Sequence, residues 1–274
     1  MYDAGMPLLQ EHRALLDWLR RYVDSFRAGR RLPPMMQTKW VHCARVGRLC
    51  RDMARELPWP AEDCSLAETA GWVHDVGRFS QWAEYGTYHD GSSINHAQRG
   101  YEVLLSNSPV GHGAIPGAAQ MLDAVRCHNM LELPADLPES SRPLAGLVRD
   151  ADKLDIFEVV LGYHEQGRLG QLLPRLSAEA TLNPTLVDEI TATRRGSYGH
   201  ARTIADFLLI MGSWVFDLNH APALRRVHHR RVIDRLRIHL PPNRGAHLLL
   251  EQAASLVRAA TDCPPQPCQH LPTS

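Results

Sequence analysis

The sequence lacks any long run of apolar residues. No stretch approaches the ~18 consecutive apolar residues that a membrane-spanning helix needs. The start of the chain also lacks the basic residues and the long apolar centre of a secretory signal peptide. These absences predict a protein without a membrane partner, and we expect a cytoplasmic location.

The sequence also lacks a net charge. Lys and Arg total 30 and Asp and Glu total 30, so no overall charge draws the protein toward nucleic acid or acidic membranes. The basic stretch 225–237 could form a surface for nucleic acid or polyphosphate. The balanced charge favours instead a solvated helix face or a subunit contact. We therefore disfavour nucleic acid as a partner, and self-association stays open.

The cysteines lack the spacing of a disulfide framework. Six are present, at positions 43, 50, 64, 127, 263 and 268. In a chain of 274 residues this pattern is typical of reduced thiols in a cytoplasmic protein. Cys263 and Cys268 could form a metal clip, but the prolines between them and the lack of a second cysteine pair favour a free tail.

Strict alternation of apolar and polar residues, the pattern of a half-buried strand, is also absent. Apolar residues recur at helical spacing instead, as at Leu15, Leu19 and Tyr22. We predict an all-α helical bundle that forms one domain over 1–262. It would comprise a motif core at about 39–157, a helical C-terminal extension at about 168–262 and extra N-terminal helices. A flexible Pro-rich tail is predicted over 263–274.

Helix-breaking residues divide the chain around a His-Asp pair. A helix that starts near Ala61 is predicted to carry His74 and Asp75 at its C-terminal end, where Gly77 is a good terminator. Segment 80–95 is rich in turn residues and aromatics, which predicts an ordered loop over a site. Further along the chain, one helix is predicted over 224–240.

Histidine is unusually abundant, with 15 residues, and some of these share helix faces with apolar residues. A single such histidine is usually an ordinary core residue, and Asp152 could simply pair with Arg149 or Lys153. The metal hypothesis therefore depends on the whole set, which is distributed over separate predicted helices or helix ends. A helical bundle can build a metal site from such facing side chains. The set is His42, the pair His74 and Asp75, His96, His128 and Asp152.

Three segments of the sequence carry a family resemblance. They are Lys-Trp-Val-His-Cys-Ala-Arg-Val at 39–46, His-Asp-Val-Gly-Arg-Phe at 74–79 and Arg-Asp-Ala-Asp-Lys-Leu-Asp at 149–155. The order of His42, His74-Asp75 and Asp152 in them resembles the HD-domain superfamily of metal-dependent phosphohydrolases. The resemblance covers about 39–157 and implies an HD-domain-like helical fold. It does not extend to the C-terminal hundred or so residues.

The resemblance also implies a ligand assignment. His96 and His128 resemble the two extra histidines of the dinuclear HD subgroups. By that resemblance, His42, His74 and Asp152 would hold one divalent ion, His96 and His128 would hold a second, and Asp75 would bridge the two. Nitrogen and oxygen ligands without a thiolate suit manganese, iron or magnesium better than a structural zinc. Zinc and nickel stay open as alternatives.

One HD subgroup fits poorly. The cyclic dinucleotide phosphodiesterases with a Gly-Tyr-Pro signature usually have a lysine where this chain has Arg78. They have two consecutive histidines where this chain has His128-Asn129, and no Gly-Tyr-Pro follows. Hydrolysis of cyclic di-GMP is therefore disfavoured.

Charged and aromatic residues beside the ligands are candidates for substrate binding. Arg78 and Lys153 stand next to ligands and could grip phosphate, whereas Lys39 is a weaker candidate for the same role. The alternative for each is a salt bridge, for example to Asp155 or Glu84. Four residues of the loop segment could line a pocket and stack on a base or sugar, or could only pack the loop. These are Gln81, Tyr88 and His89, together with Tyr85 of the same segment.

These residues predict a hydrolase that cleaves phosphate esters, with a nucleotide among the candidate substrates. A metal-activated water would attack phosphorus, with Asp75, Arg78 and Lys153 as the catalytic candidates. Two other functions are compatible with the same sequence. One is an HD-fold mixed-valent di-iron oxygenase, whose ligand pattern is like the six-residue set. The other is a regulatory nucleotide-binding module with a vestigial site, which the completeness of the ligand set disfavours.

Overall fold

A computed structural model describes residues 8–262, and the described chain is helical with loops between the helices. Within that range, β-structure is limited to two isolated bridges, Ala28 with Arg31 and Ser177 with Thr203. The prediction of an all-α fold is confirmed. The tail predicted over 263–274 lies outside the described residues.

The chain divides into two compact units, and the boundary falls between Asp152 and Lys153, inside the helix α7 (Arg142–Glu165). The single domain predicted over 1–262, with an extension from about 168, stays a prediction. The helices of the first unit are α1 (Gln10–Asp24), α2 (Pro34–Ala54), α3 (Ala61–Val73), α4 (Gly77–Tyr85), α5 (His96–Asn107) and α6 (Ala118–Cys127). Those of the second are α8 (Leu169–Leu172), α9 (Pro184–Thr193), α10 (Ile204–Ser213), α11 (Ala221–His229), α12 (Val232–His239) and α13 (Arg244–Thr261).

Helices α2 and α3 pack closely because glycines face each other where they cross. A Cβ on Gly71 would lie 2.9 Å from the Cα of Gly47, and one on Gly47 would lie 2.5 Å from the ring of Trp72. Contacts that close exclude any larger side chain at either position without a shift of the helices. The short distance between the two helix axes allows His42 on α2 to approach His74 at the end of α3.

The chain after His74 differs from the sequence-based prediction. Gly77 begins helix α4 instead of ending α3, and the predicted loop over 80–95 is helical as far as Tyr85. The reason for the glycine is packing: a Cβ there would lie 2.6 Å from the backbone nitrogen of Gly100 and would also overlap the carbonyl oxygen of His96. Helix α4 therefore crosses α5 in backbone contact. It ends at Gly86, whose φ of 64° is the left-handed conformation that glycine adopts readily.

The second unit has a conventional apolar core. Helices α9, α10 and α13 bury an aliphatic cluster of Leu186, Ile190, Leu209, Ile210, Ala246 and Leu249. Helix α10 begins with a capping box, in which the Thr203 hydroxyl accepts from the backbone nitrogen of Asp206 and the Asp206 carboxylate accepts from that of Thr203. No ionisable side chain belongs to this cluster.

The helix predicted over 224–240 is two helices, α11 and α12. The break is at Arg231, whose φ of 52° lies in the left-handed region. The basic residues of this stretch include ion-paired arginines: Arg235 pairs with Glu158 and Glu165, and Arg237 with Glu251. These pairs agree with a solvated helix face rather than an unpaired basic surface.

Candidate metal centre

Five helices of the chain bring the six predicted ligands together. His42 lies inside α2, His74 and Asp75 directly follow α3, His96 is the first residue of α5, His128 directly follows α6, and Asp152 is on α7. His96 is placed at a helix start by Asn95, whose side chain caps α5 by accepting from Ala97 N and Gln98 N. The four histidines and Asp75 are buried, whereas Asp152 is partly exposed.

The first half of this cluster joins His42, His74 and Asp152. The Nε2 atoms of His42 and His74 are 3.2 Å apart, and the Oδ1 of Asp152 lies 3.1 Å from the first and 3.7 Å from the second. The three side chains thus aim one ligand atom each at the same small volume. Two nitrogens and one carboxylate oxygen could hold a divalent ion there.

The second half contains His96 and His128, whose Nε2 atoms are 3.0 Å apart. The Oδ1 of Asp75 lies 3.4 Å from His96 Nε2 and 3.5 Å from His128 Nε2. Its other oxygen, Oδ2, lies 3.5 Å from His42 Nε2 and 3.6 Å from His74 Nε2. Asp75 therefore directs one oxygen at each half, which is the geometry of a carboxylate that bridges two ions.

Three of these histidines have a contact at Nδ1, the ring nitrogen that faces away from the centre, and this contact determines the tautomer. His74 Nδ1 and His128 Nδ1 each lie 2.7 Å from a backbone carbonyl, of Gly71 and of Val125, and a carbonyl oxygen only accepts. His96 Nδ1 lies 2.6 Å from the Asp90 carboxylate. Each Nδ1 must therefore carry the proton. In the neutral ring, Nε2 then presents a lone pair to the centre of the cluster.

Burial favours the neutral form of two of these rings, those of His74 and His96. It lowers the pKa of His74 to about 3 and that of His96 to about 4, despite the opposing effect of nearby carboxylates. In their neutral forms with Nδ1 protonated, His96 and His128 would point lone pairs at each other across 3.0 Å. Such an arrangement is repulsive unless a cation lies nearby.

Asp75 gives a second sign that the centre suits a cation. Its Oδ1 is buried and accepts no hydrogen bond from any residue in the described part of the chain. A buried carboxylate oxygen that accepts no hydrogen bond is costly, and a metal ion is one of the few groups that compensates for it. The imidazole and carboxylate donors of the cluster fit divalent ions such as manganese or iron.

Lys39 makes the salt bridge that was the alternative to phosphate binding, but with an unexpected partner. Its Nζ lies 2.7 Å from Asp75 Oδ2, so the ammonium group contacts the oxygen that faces the first half. Burial acts to raise the pKa of Asp75, but Lys39, His74 and the other neighbours outweigh it and hold that pKa well below the usual range. The charged form of Asp75 is therefore favoured, and that form is the one that can coordinate a cation.

Arg78 and Gln81 hold the loop that precedes His96. Arg78 Nη1 donates to Gln81 Oε1, to the carbonyl of Tyr88 and to Asp90 Oδ1, at 2.9, 2.6 and 2.8 Å. Gln81 is fully buried, and its Nε2 donates to Asp90, Ser93 and Ile94. Both side chains therefore make the packing and ion-pair contacts that were the alternatives to substrate binding. His89 is exposed and its Nδ1 lies 3.0 Å from Ser92 Oγ.

Asp90 is the residue that sequence reasoning missed. Its Oδ2 accepts from His96 Nδ1 while its Oδ1 accepts from Arg78 and Gln81, so it orients one histidine of the centre. Burial acts to raise the pKa of Asp90, but His96, Arg78 and Gln81 hold it well below its usual range. The sequence shows only that Asp90 stands six residues before His96. Because a loop separates the two, this spacing does not indicate that their side chains meet.

Two basic residues of α7 have other partners. Lys153 pairs with Asp217 Oδ2 at 2.8 Å, so it makes a salt bridge, although with neither of the carboxylates that the sequence suggested. Arg149 is buried and donates to the backbone carbonyls of Cys127, Met130 and Leu131. This guanidinium holds the turn that contains His128, and a cation at a helix C-terminus is favourable.

The match to a known family includes all six candidate ligands. Residues 40–156 match the family model described as HD domain. These residues form an HD domain. The predicted resemblance over about 39–157 is confirmed. HD domains are generally metal-dependent phosphohydrolases that bind divalent metals, and the histidine and aspartate groups described above could hold such ions.

Other comparisons add no relative. No curated protein and no solved structure matches the chain. Over the described residues, no helix combines the length and the apolar character that crossing a membrane requires.

Proposed function

We propose that this HD domain hydrolyses phosphate esters with two divalent ions, held by His42, His74 and Asp152 on one side and by His96 and His128 on the other. One observation carries the proposal: Asp75 directs Oδ2 at the first pair of histidines and Oδ1, which has no hydrogen-bond donor in the described chain, at the second. The lone-pair geometry of His96 and His128 supports the same assignment. Manganese, iron and magnesium are the ions that best suit these ligands.

Bound there, divalent ions would supply Lewis-acid activation of a water and of a phosphoryl oxygen. The chain itself would orient this chemistry. Gly71 O, Val125 O and Asp90 fix the rotation of three imidazoles, so that their Nε2 atoms face inward without reorganisation. Preorganised ligands of this kind reduce the cost of binding ions and of stabilising charge in the transition state.

Positive charge on one side of the cluster supports an anionic substrate. Lys39 Nζ lies 2.7 Å from Asp75 Oδ2, and Arg78 Nε lies 3.5 Å from Asp75 Oδ1. Both cations thus lie beside the carboxylate that would bridge the ions. Lys39 and Arg78 would attract phosphate to this side, whereas phosphate binding by Lys153 would require that it leave Asp217. The partner that this arrangement suits is a small phosphorylated compound, such as a nucleotide.

Metal content and a phosphoester screen test the proposal together. The full chain would be purified without chelators or a histidine tag and analysed for metals. We expect two ions per chain, either two manganese or manganese with iron, and turnover of a phosphoester. Replacing His74 and Asp75 together with alanine should abolish both. The matched control is His112→Ala, because His112 is an exposed histidine of the same unit.

Three outcomes would contradict the proposal. Phosphatase activity that survives the double replacement would show that the centre is not the active site. Two iron ions with substrate-dependent oxygen uptake would establish the oxygenase instead. Protein that stays metal-free after soaking in manganese, yet binds a nucleotide tightly, would establish the regulatory module.

A further inference from the structure

Tyr88 lies against the two cations that flank Asp75. Lys39 Nζ is 5.8 Å and Arg78 Cζ is 5.7 Å from the centroid of its ring, and Arg78 also donates to its carbonyl oxygen. The ring of Trp82 contacts the same side chain, with the ring centroids 5.0 Å apart. Because these neighbours pack against the Tyr88 ring, little of its surface remains for stacking on a base.

The hydroxyl of Tyr88 is in a different situation from its ring. Its Oη is buried but forms no hydrogen bond with any residue over 8–262. Buried tyrosine hydroxyls normally find a partner, and an unmade hydrogen bond at such a group costs free energy. The ordinary fold of the loop therefore does not explain why position 88 carries a hydroxyl.

The ring that carries this hydroxyl lies near the centre, because its two neighbours Lys39 and Arg78 both pair with Asp75. Burial, and then the charge of Asp75, raise the pKa of Tyr88 far above its usual value, so the group stays protonated and can donate at any physiological pH. A hydroxyl donor on a ring that lies against these two cations is complementary to an oxyanion that the cations attract. Phosphate oxygens accept hydrogen bonds of this charge-assisted type strongly.

We propose that the Tyr88 hydroxyl donates a hydrogen bond to a phosphoryl oxygen of the substrate, and that it forms with Lys39 and Arg78 an anion subsite beside Asp75. This inference rests on the proposed function and identifies the part of the substrate that this side of the centre recognises. Tyr88 would act through its hydroxyl rather than through its aromatic face.

The variant that tests the inference is Tyr88→Phe, because it removes only the hydroxyl and keeps the ring between its neighbours. The matched control is Tyr85→Phe, since Tyr85 lies on the same segment but is 47 % exposed. Binding of inorganic phosphate to the manganese-loaded full chain would be measured by calorimetry, together with metal content, kcat/KM for a phosphoester and the melting temperature of the metal-free protein.

We expect Tyr88→Phe to keep two ions per chain and to bind phosphate about 10-fold more weakly, which is the loss typical of a hydrogen bond to a charged group. The kcat/KM should fall by a similar factor or more. The melting temperature of the metal-free variant should stay equal or rise, because the hydroxyl that is removed has no partner to lose. Tyr85→Phe should match the wild type in every measurement.

The outcomes separate this inference from the proposed function. If the wild type binds and hydrolyses phosphate compounds but Tyr88→Phe does so equally well, the role of Tyr88 is overturned and the hydrolase stands. A melting temperature that falls by several degrees would assign the hydroxyl a structural partner and would also overturn it. If the wild type neither binds phosphate nor turns over a phosphoester, the proposed function fails and this inference fails with it.

Discussion

The two halves of the candidate metal centre balance their charges differently. In the first half, His42 and His74 share the carboxylate of Asp152, and the facing oxygen of Asp75 is already paired with Lys39. In the second half, the Nε2 atoms of His96 and His128 face one oxygen of Asp75, and that oxygen has no hydrogen-bond donor among the described residues. One half contains more negative charge, and the other contains more unsatisfied polar atoms.

This difference predicts unequal ion binding. An ion in the first half would be neutralised by Asp152 and by part of Asp75, whereas an ion in the second half would depend on Asp75 and on two neutral imidazoles. We therefore expect the first half to bind its ion more tightly, because charge neutralisation dominates the affinity of hard ions for oxygen ligands. Asp90, behind His96, would partly compensate in the second half by making that imidazole more basic.

The largest expected effect is that of Asp75→Asn, which affects both halves at once. The amide keeps the shape of the side chain but loses the charge and one of the two acceptor oxygens. We expect loss of both ions and a fall in phosphoesterase activity of about 10³-fold or more, as removal of a central electrostatic group produces. Elemental analysis and kinetics would measure it, with Asp136→Asn as an exposed control in the same unit. Two ions per chain in Asp75→Asn would exclude a bridging role.

A matched pair of alanine variants would separate the halves. His42→Ala should remove the tighter ion, and His128→Ala the weaker one, so each variant should retain about one ion per chain. Titration with manganese should then give a residual affinity that is higher for His128→Ala than for His42→Ala. The opposite order would show that the second half is the tighter one, and equal affinities would show that Asp152 does not distinguish the halves.

A smaller effect is expected from Asp90→Asn, because Asp90 does not face the centre itself. Loss of its charge should weaken binding of the ion in the second half by about 10- to 100-fold, as removal of such supporting groups commonly does. The ion in the first half should be unaffected. Ser92→Ala, in the same loop, is the control, since Ser92 contacts His89 rather than a predicted ligand. Equal weakening of both ions would assign Asp90 to the stability of the whole loop.

The last prediction concerns the stability of the metal-free protein and its dependence on pH. Burial lowers the pKa of His74 to about 3 and of His96 to about 4, so the unfolded chain binds more protons than the folded one between these values and about 6.5. The free energy of unfolding should therefore rise with pH over this range, by at most about 1.4 kcal/mol per pH unit for each histidine. Urea unfolding in the presence of a chelator, at pH 4 to 7, would measure it. A profile that is flat over this range would contradict the neutral, buried state of both rings.

Much of the fold could be predicted from local sequence patterns. Helical periodicity predicted the helix that contains Leu15, Leu19 and Tyr22, which is α1, and the helix that starts near Ala61, which is α3, because this signal arises within one turn of the chain. Predictions that depended on packing between helices were wrong. Gly77 resembles a helix terminator in the sequence. In the structure it lies where α4 crosses α5, against the backbone of His96 and Gly100. The break at Arg231 has no proline or glycine to indicate it.

The sequence by itself determined which chemistry was available. It supplies imidazole and carboxylate ligands rather than thiolates, and their order along the chain is that of the HD-domain family. Only the tertiary structure decided how these groups meet. The contacts of His42 with His74 and of His96 with His128 each span 32 positions of sequence, so their distances follow from helix packing. The same packing directs Lys39 to Asp75, supports His96 with Asp90 and leaves the Tyr88 hydroxyl without a protein partner over 8–262. A linear pattern cannot show these contacts, since they depend on distances across the fold.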